Sequence, residues 1–151
     1  MSSTTPPSIH VSSRYIPSSD STLPALALQV THLVDSYMLW IGSTEDPPEE
    51  VDIAPLRGSL AKDWACAMPS ITSAMPAPGT SMFSSPSSDF ALAMAQRLAM
   101  RFKKQIFLSI DVPPAFVSLG QGPRLLLAVE RAIVGALKEL EHAPINRTEG
   151  S

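Results

Sequence analysis

Residues 34–43, VDSYMLWIGS, decide how this chain folds. Tyr37, Met38, Leu39, Trp40 and Ile41 form an unbroken apolar run closed by Gly42 and Ser43. It is far shorter than the ~18 residues a membrane helix needs. Aromatic and branched side chains suit pleated backbone, in which successive residues point to opposite faces. Tyr37, Leu39 and Ile41 therefore share one face of a strand, and Met38 and Trp40 the other. Residues 105–112, QIFLSIDV, repeat the pattern, with Ile106, Leu108 and Ile110 on one side and Phe107 on the other. Both strands belong at the centre of a sheet, and both faces of that sheet want cover.

Outward from this centre, residues 25–33 set Leu26, Leu28, Val30 and His32 against Ala27, Gln29, Thr31 and Leu33, a period of two. Asp35-Ser36 then makes a tight turn, so the two strands form an antiparallel hairpin. Residues 8–16 read as an edge strand, residues 60–68 as a strand holding Trp64, Cys66 and Met68, and residues 79–84 as a short strand with Met82. Ser87 or Ser88 is a good N-cap, with Asp89 in the first turn, for a helix running to Phe102 with Phe90, Met94 and Leu98 in one stripe. Pro123 opens a second helix, striped by Leu126, Val129, Ile133, Leu137 and Leu140 and ended by Pro144. Residues 1–7 and 145–151 read as disordered tails, and 8–144 as one domain with long loops at 44–58, 69–78 and 113–122. The expected fold is α+β: a largely antiparallel sheet of about six strands with two amphipathic helices packed on one face.

Composition excludes several classes of function. The 151 residues carry a net charge of −3, which argues against nucleic acid as a partner. No apolar run is long enough to span a membrane, and residues 1–20 hold no apolar segment of the secretory kind. The single cysteine, Cys66, cannot form an internal disulfide and points to a reducing compartment; the expected localisation is cytoplasmic and also nuclear. Glu45, Asp46, Glu49, Glu50 and Asp52 surround two prolines and read as a solvated acidic loop rather than a metal site. His10, His32 and His142 have no metal-ligand spacing, Cys66 sits among alanines away from any base, and no Gly-x-Ser-x-Gly elbow is present. Gly120-Gln121-Gly122 lacks the rest of a phosphate loop and reads as a link before a helix. No catalytic residue, metal or cofactor is expected.

Two helices cover one face of such a sheet. The opposite face keeps Met38, Trp40 and Phe107 among small or polar neighbours, Ser36, Gln105 and Ser109. A mixed surface of this kind suits a protein–protein interface. The one basic cluster, with Arg97, Arg101, Lys103 and Lys104, is either a solvated helix face or a docking patch for an acidic surface.

The segments Leu39-Trp40-Ile41-Gly42, Ala65-Cys66-Ala67-Met68, Ala95-Gln96-Arg97-Leu98-Ala99 running on to Lys104-Gln105-Ile106-Phe107-Leu108-Ser109, and Leu127-Ala128-Val129-Glu130-Arg131-Ala132-Ile133 occur in that order. Through them the chain resembles the proteasome assembly chaperone 4 family, in a divergent fungal form, over residues 25–142. The resemblance implies pairing with proteasome assembly chaperone 3 through the sheet, with Ser36, Met38, Trp40, Gln105, Phe107 and Ser109 on the partner side. It also implies binding of 20S proteasome α-subunits to promote α-ring assembly, without catalysis, and Arg97, Arg101 and Lys104 are the residues expected at that contact. The longer Ser/Pro N-terminus, the acidic loop 44–58, the Pro-rich stretch after Met68 and the loop before Pro123 depart from the family. Two rival readings are a roadblock-like scaffold module pairing through its sheet, and a small hydrolase using a serine, His32 and an acid from residues 45–52.

Overall fold

Six strands form one sheet: β1 (His10–Ile16), β2 (Ala25–Leu33), β3 (Ser36–Thr44), β4 (Trp64–Ala67), β5 (Gly79–Phe83) and β6 (Gln105–Asp111), in the spatial order β1-β2-β3-β6-β4-β5. The structure, a computed structural model, describes residues 9–72, 74–85 and 89–142. The tails, Ser87, Ser88 and Pro144, each given a role above, lie outside the described residues. Every pairing is antiparallel except β3 with β6, which is parallel. The chain leaves β3, builds β4 and β5, and returns through a helix, α2 (Ala91–Phe102), so β6 enters beside β3 in the same direction.

The central hairpin forms one residue earlier than expected. Leu33 pairs with Ser36, so Val34 and Asp35 make the two-residue loop, and Asp35 takes the left-handed conformation at φ 52°. Asp tolerates that region better than most residues.

The α2 helix and the long α4 (Gly122–His142) lie on one face. Against Tyr37, Leu39 and Ile41 of β3 and Ile106, Leu108 and Ile110 of β6 they bury Met94, Leu98, Leu125, Val129, Ile133 and Leu137. Each such side chain contributes roughly 1.5–3 kcal/mol gross. The α2 stripe works at four-residue spacing as the sequence implies, but its N-terminus is capped from afar. The carboxylate Oδ2 of buried Asp63 accepts the backbone N–H of Phe90 at 2.7 Å and of Ala91 at 3.1 Å. At the other end Lys103, at φ 55°, turns the chain left-handed into β6 while its N–H donates to Ala99 O.

Two of the expected loops contain helix. Residues 44–58 are not an extended acidic loop: a 3-10 turn (Pro48–Ile53) runs into α1 (Ala54–Arg57). Pro48 presets the first φ, and Glu49 and Glu50 complement the N-terminal partial charge. Arg57 then ties the segment to itself through Asp46 at 2.6 Å and Glu50 at 3.1 Å. Between β6 and α4 the chain forms α3 (Pro114–Phe116) and a π turn (Val117–Gln121) that breaks at Gly120, φ 78°.

Candidate functional site

The register places one residue of every strand in a single line across the second face. Val11 opposes Thr31, Thr31 opposes Met38, Met38 opposes Phe107, Phe107 opposes Cys66, and Cys66 opposes Thr80. None of the six is charged. Gln105 flanks this row and donates from Nε2 to Cys66 Sγ at 3.4 Å. The next row runs Ser13, Gln29, Trp40, Ser109, Trp64 and Phe83.

The two rows have different fates. Over the second, the 3-10 turn and α1 form a lid. Ala54 and Val51 pack on Ala27 and Trp40, leaving Trp40 only 7 % exposed. Gly58 and Gly42 bracket the indole so closely that a Cβ on either would stand 2.6 Å from Trp40 Cζ2. Ser109 Oγ donates to Leu60 O at 2.8 Å, and Asp111 anchors the lid's return by accepting the Ser59 N–H at 2.6 Å and pairing with Lys62 at 2.8 Å. The expectation of a wholly uncovered face is therefore corrected. Trp40 and Ser109 are sealed by the chain's own insertion, and Ser36 is buried beside the hairpin turn. Met38, Gln105 and Phe107 remain half-buried. A depression of about 220 Å³ opens beside them, bounded by Thr31, Met38, Trp40, Pro55 and Leu60. On the lid's outer side Leu56 is 84 % exposed, next to half-exposed Leu60 and Ile53.

Sequence reasoning did not find Val11, Thr31, Cys66, Thr80 or the lid leucines. Thr31 and Val11 follow once the hairpin register is known, because alternation then puts them beside Met38. Cys66 and Thr80 required the position of β4, which crosses to the far side of β6.

The three basic residues differ in their surroundings: Arg97 and Arg101 line one groove, while Lys104 packs against Tyr37. Arg97 is held by Glu130 through Nε at 2.8 Å and Nη2 at 3.0 Å, and this hydrogen bonding raises its pKa. Lys104 stands 4.8 Å over the Tyr37 ring, donates to its hydroxyl at 3.2 Å and pairs with Glu141 at 3.3 Å. Burial pulls the Lys104 pKa down, but Tyr37 and Glu141 outweigh it and hold the ammonium above its usual range. Arg101 is exposed and has no ion pair among the described residues.

The hydrolase constellation does not assemble. His32 stacks 4.9 Å from the Tyr37 ring, opposite Tyr37 in the ladder. Residues 45–52 follow the other end of β3, roughly 23 Å along the strand. Burial, with the charges of Lys104 and His10, lowers the His32 pKa. Among the described residues no three His, Cys, Asp or Glu side chains could hold a metal ion.

Comparison with known proteins bears on this geometry. Residues 25–112 match the family model described as Proteasome assembly chaperone 4. A chain of the solved yeast structure described as "Crystal Structure of a Novel Chaperone Complex for Yeast 20S Proteasome Assembly" has the same fold, with TM-score 0.58 at 17% identity, covering 86% of this chain and 95% of that one. No curated protein matches the chain.

Proposed function

This chain belongs to the proteasome assembly chaperone 4 family, and from that premise we propose that it works as one half of a heterodimer with proteasome assembly chaperone 3. Its role is that of a non-catalytic proteasome assembly chaperone. The partner contact uses the open half of the second face, centred on Met38 and Phe107 with Gln105 at its border; Ser36, Trp40 and Ser109 flank it, buried, in the neighbouring rows. The dimer binds α-subunits of the 20S core, holds neighbours at the right spacing for α-ring assembly, and leaves when later subunits take its place. It works in the cytoplasm and nucleus, and the free thiol of Cys66 accords with a reducing compartment.

The observation that carries this reading is the uncharged row from Val11 to Thr80. An interface core is depleted in charge and rich in aromatic residues and Met, and a specific complex needs about 800 Å² per partner. A row spanning the full width of the sheet, extended by Leu56 and Leu60, supplies the uncharged centre of such a contact.

Co-expression and size-exclusion chromatography test it. Wild-type protein elutes as a complex with proteasome assembly chaperone 3. Phe107→Arg, which sets a charge at the centre of the row, abolishes co-elution while the separated subunit keeps its circular dichroism. Unimpaired pairing of Phe107→Arg would overturn this choice of face.

A further inference from the structure

On the helical side of the molecule, away from the partner face, lies a groove of about 580 Å³ between α2 and α4. Its floor is apolar, made by Leu98, Met100 and Val134, with Pro76 and Ala77 as one wall. The wall is fixed in place, since Gln96 Nε2 donates to Ala77 O at 2.8 Å. The volume falls within the range of peptide-sized and ligand-sized sites.

Charge decides what fits. Arg97 and Arg101 stand on the rim one helical turn apart, where like charges repel. Glu130 grips Arg97 in a two-point pair, neutralising it and fixing its geometry. Arg101, exposed and with no ion pair among the described residues, is left as the cation at the mouth. The rim thus carries a net positive charge on a protein whose total is −3.

We infer that this groove is a docking site for an apolar peptide segment of a partner protein that carries a carboxylate within one turn of its apolar anchor. The anchor fills the space over Leu98 and Val134, and the carboxylate forms a charge-assisted pair with Arg101. This deepens the reading given above, on which it rests, by assigning the α-subunit contact to the groove rather than to a three-residue basic patch.

Arrays of 15-residue peptides, tiled from the proteasome α-subunits and accompanied by scrambled peptides of the same composition, test it with purified full-length protein. Bound peptides should hold Asp or Glu close to a branched apolar residue. Arg101→Glu should lower their signal at least tenfold, Val134→Arg likewise, and Arg101→Lys should retain most of it. Phe107→Arg should leave the pattern unchanged, because it lies on the other side of the sheet. Binding that survives Arg101→Glu, or no binding at all, overturns the groove. Binding confined to scrambled acidic–apolar peptides and lost in Arg101→Glu keeps the groove and sinks the α-subunit reading instead.

Discussion

Gly58 packs so close to Trp40 that any side chain there would force a shift: a Cβ would lie 2.6 Å from Cζ2 of the indole and 2.5 Å from Asp111 Oδ2. Neither neighbour can yield easily, because the indole is pinned by Gly42 behind it and the carboxylate by Ser59 and Lys62. Gly58→Ala should destabilise the fold by ~1–3 kcal/mol, the usual cost of overpacking. Thermal unfolding followed by Trp fluorescence checks this; an unshifted midpoint would mean the lid is not closed over Trp40.

Asp63 supplies what the start of α2 lacks. Its carboxylate meets two backbone N–H groups whose nearest capping residue, Phe90, has no acceptor. Asp63→Ala should cost ~1–3 kcal/mol in urea unfolding. Asp63→Asn keeps an acceptor oxygen and should recover part of that loss, whereas Asp63→Leu, which fills the space without an acceptor, should not.

His32 makes stability depend on pH in a defined window. Burial, Lys104 and His10 lower its folded pKa below the ordinary imidazole value of 6.5, while Glu141 opposes them. The unfolded chain therefore binds more protons than the folded one as pH falls through this range. The stabilisation is complete above the unfolded pKa and is lost as pH drops through the folded one. The melting temperature should fall between pH 7.5 and 5.5, and His32→Gln should flatten that part of the profile. Asp20 and Glu139, whose lowered pKa values come from hydrogen bonds with Arg124 and Arg14, act only at more acidic pH.

Lys103 occupies a left-handed position that glycine fills without strain. Lys103→Gly should raise stability by up to ~1 kcal/mol, with the gain limited by the added freedom of the unfolded chain. Its side chain enters none of the contacts at Tyr37 or Glu130, so differential scanning calorimetry reads the backbone effect alone.

The strands and the paired helices were legible because their signals are local. Alternation in residues 25–33 and 105–112, and four-residue spacing from Met94 to Leu98, each follow from one element's own geometry. The lid was not legible. Its prolines and acids look like solvated loop, and its closure depends on Ala54 meeting Ala27 and Trp40 across the fold. The ion pairing of the basic cluster was hidden for a similar reason: Arg97, Arg101 and Lys104 are close in sequence, but Glu130 and Glu141 arrive from α4 and pair with two of them. The α2 cap fell to Asp63, 28 positions before Ala91, where no local rule would look. The make-up of the second face was legible in part, since Met38 and Phe107 do adjoin in the ladder while Trp40 beside them is roofed.

The lone parallel ladder has a consequence for how the protein is made. Ser36 cannot find Gln105 until the ribosome has released everything between them, which at about 5–20 residues per second takes several seconds. During that delay the nascent hairpin of β2 and β3 carries two greasy surfaces with no neighbour on its inner edge. Closing so wide a loop late is slow and leaves time for stray contacts. A protein that chaperones the assembly of others is thus itself exposed to misassociation at birth.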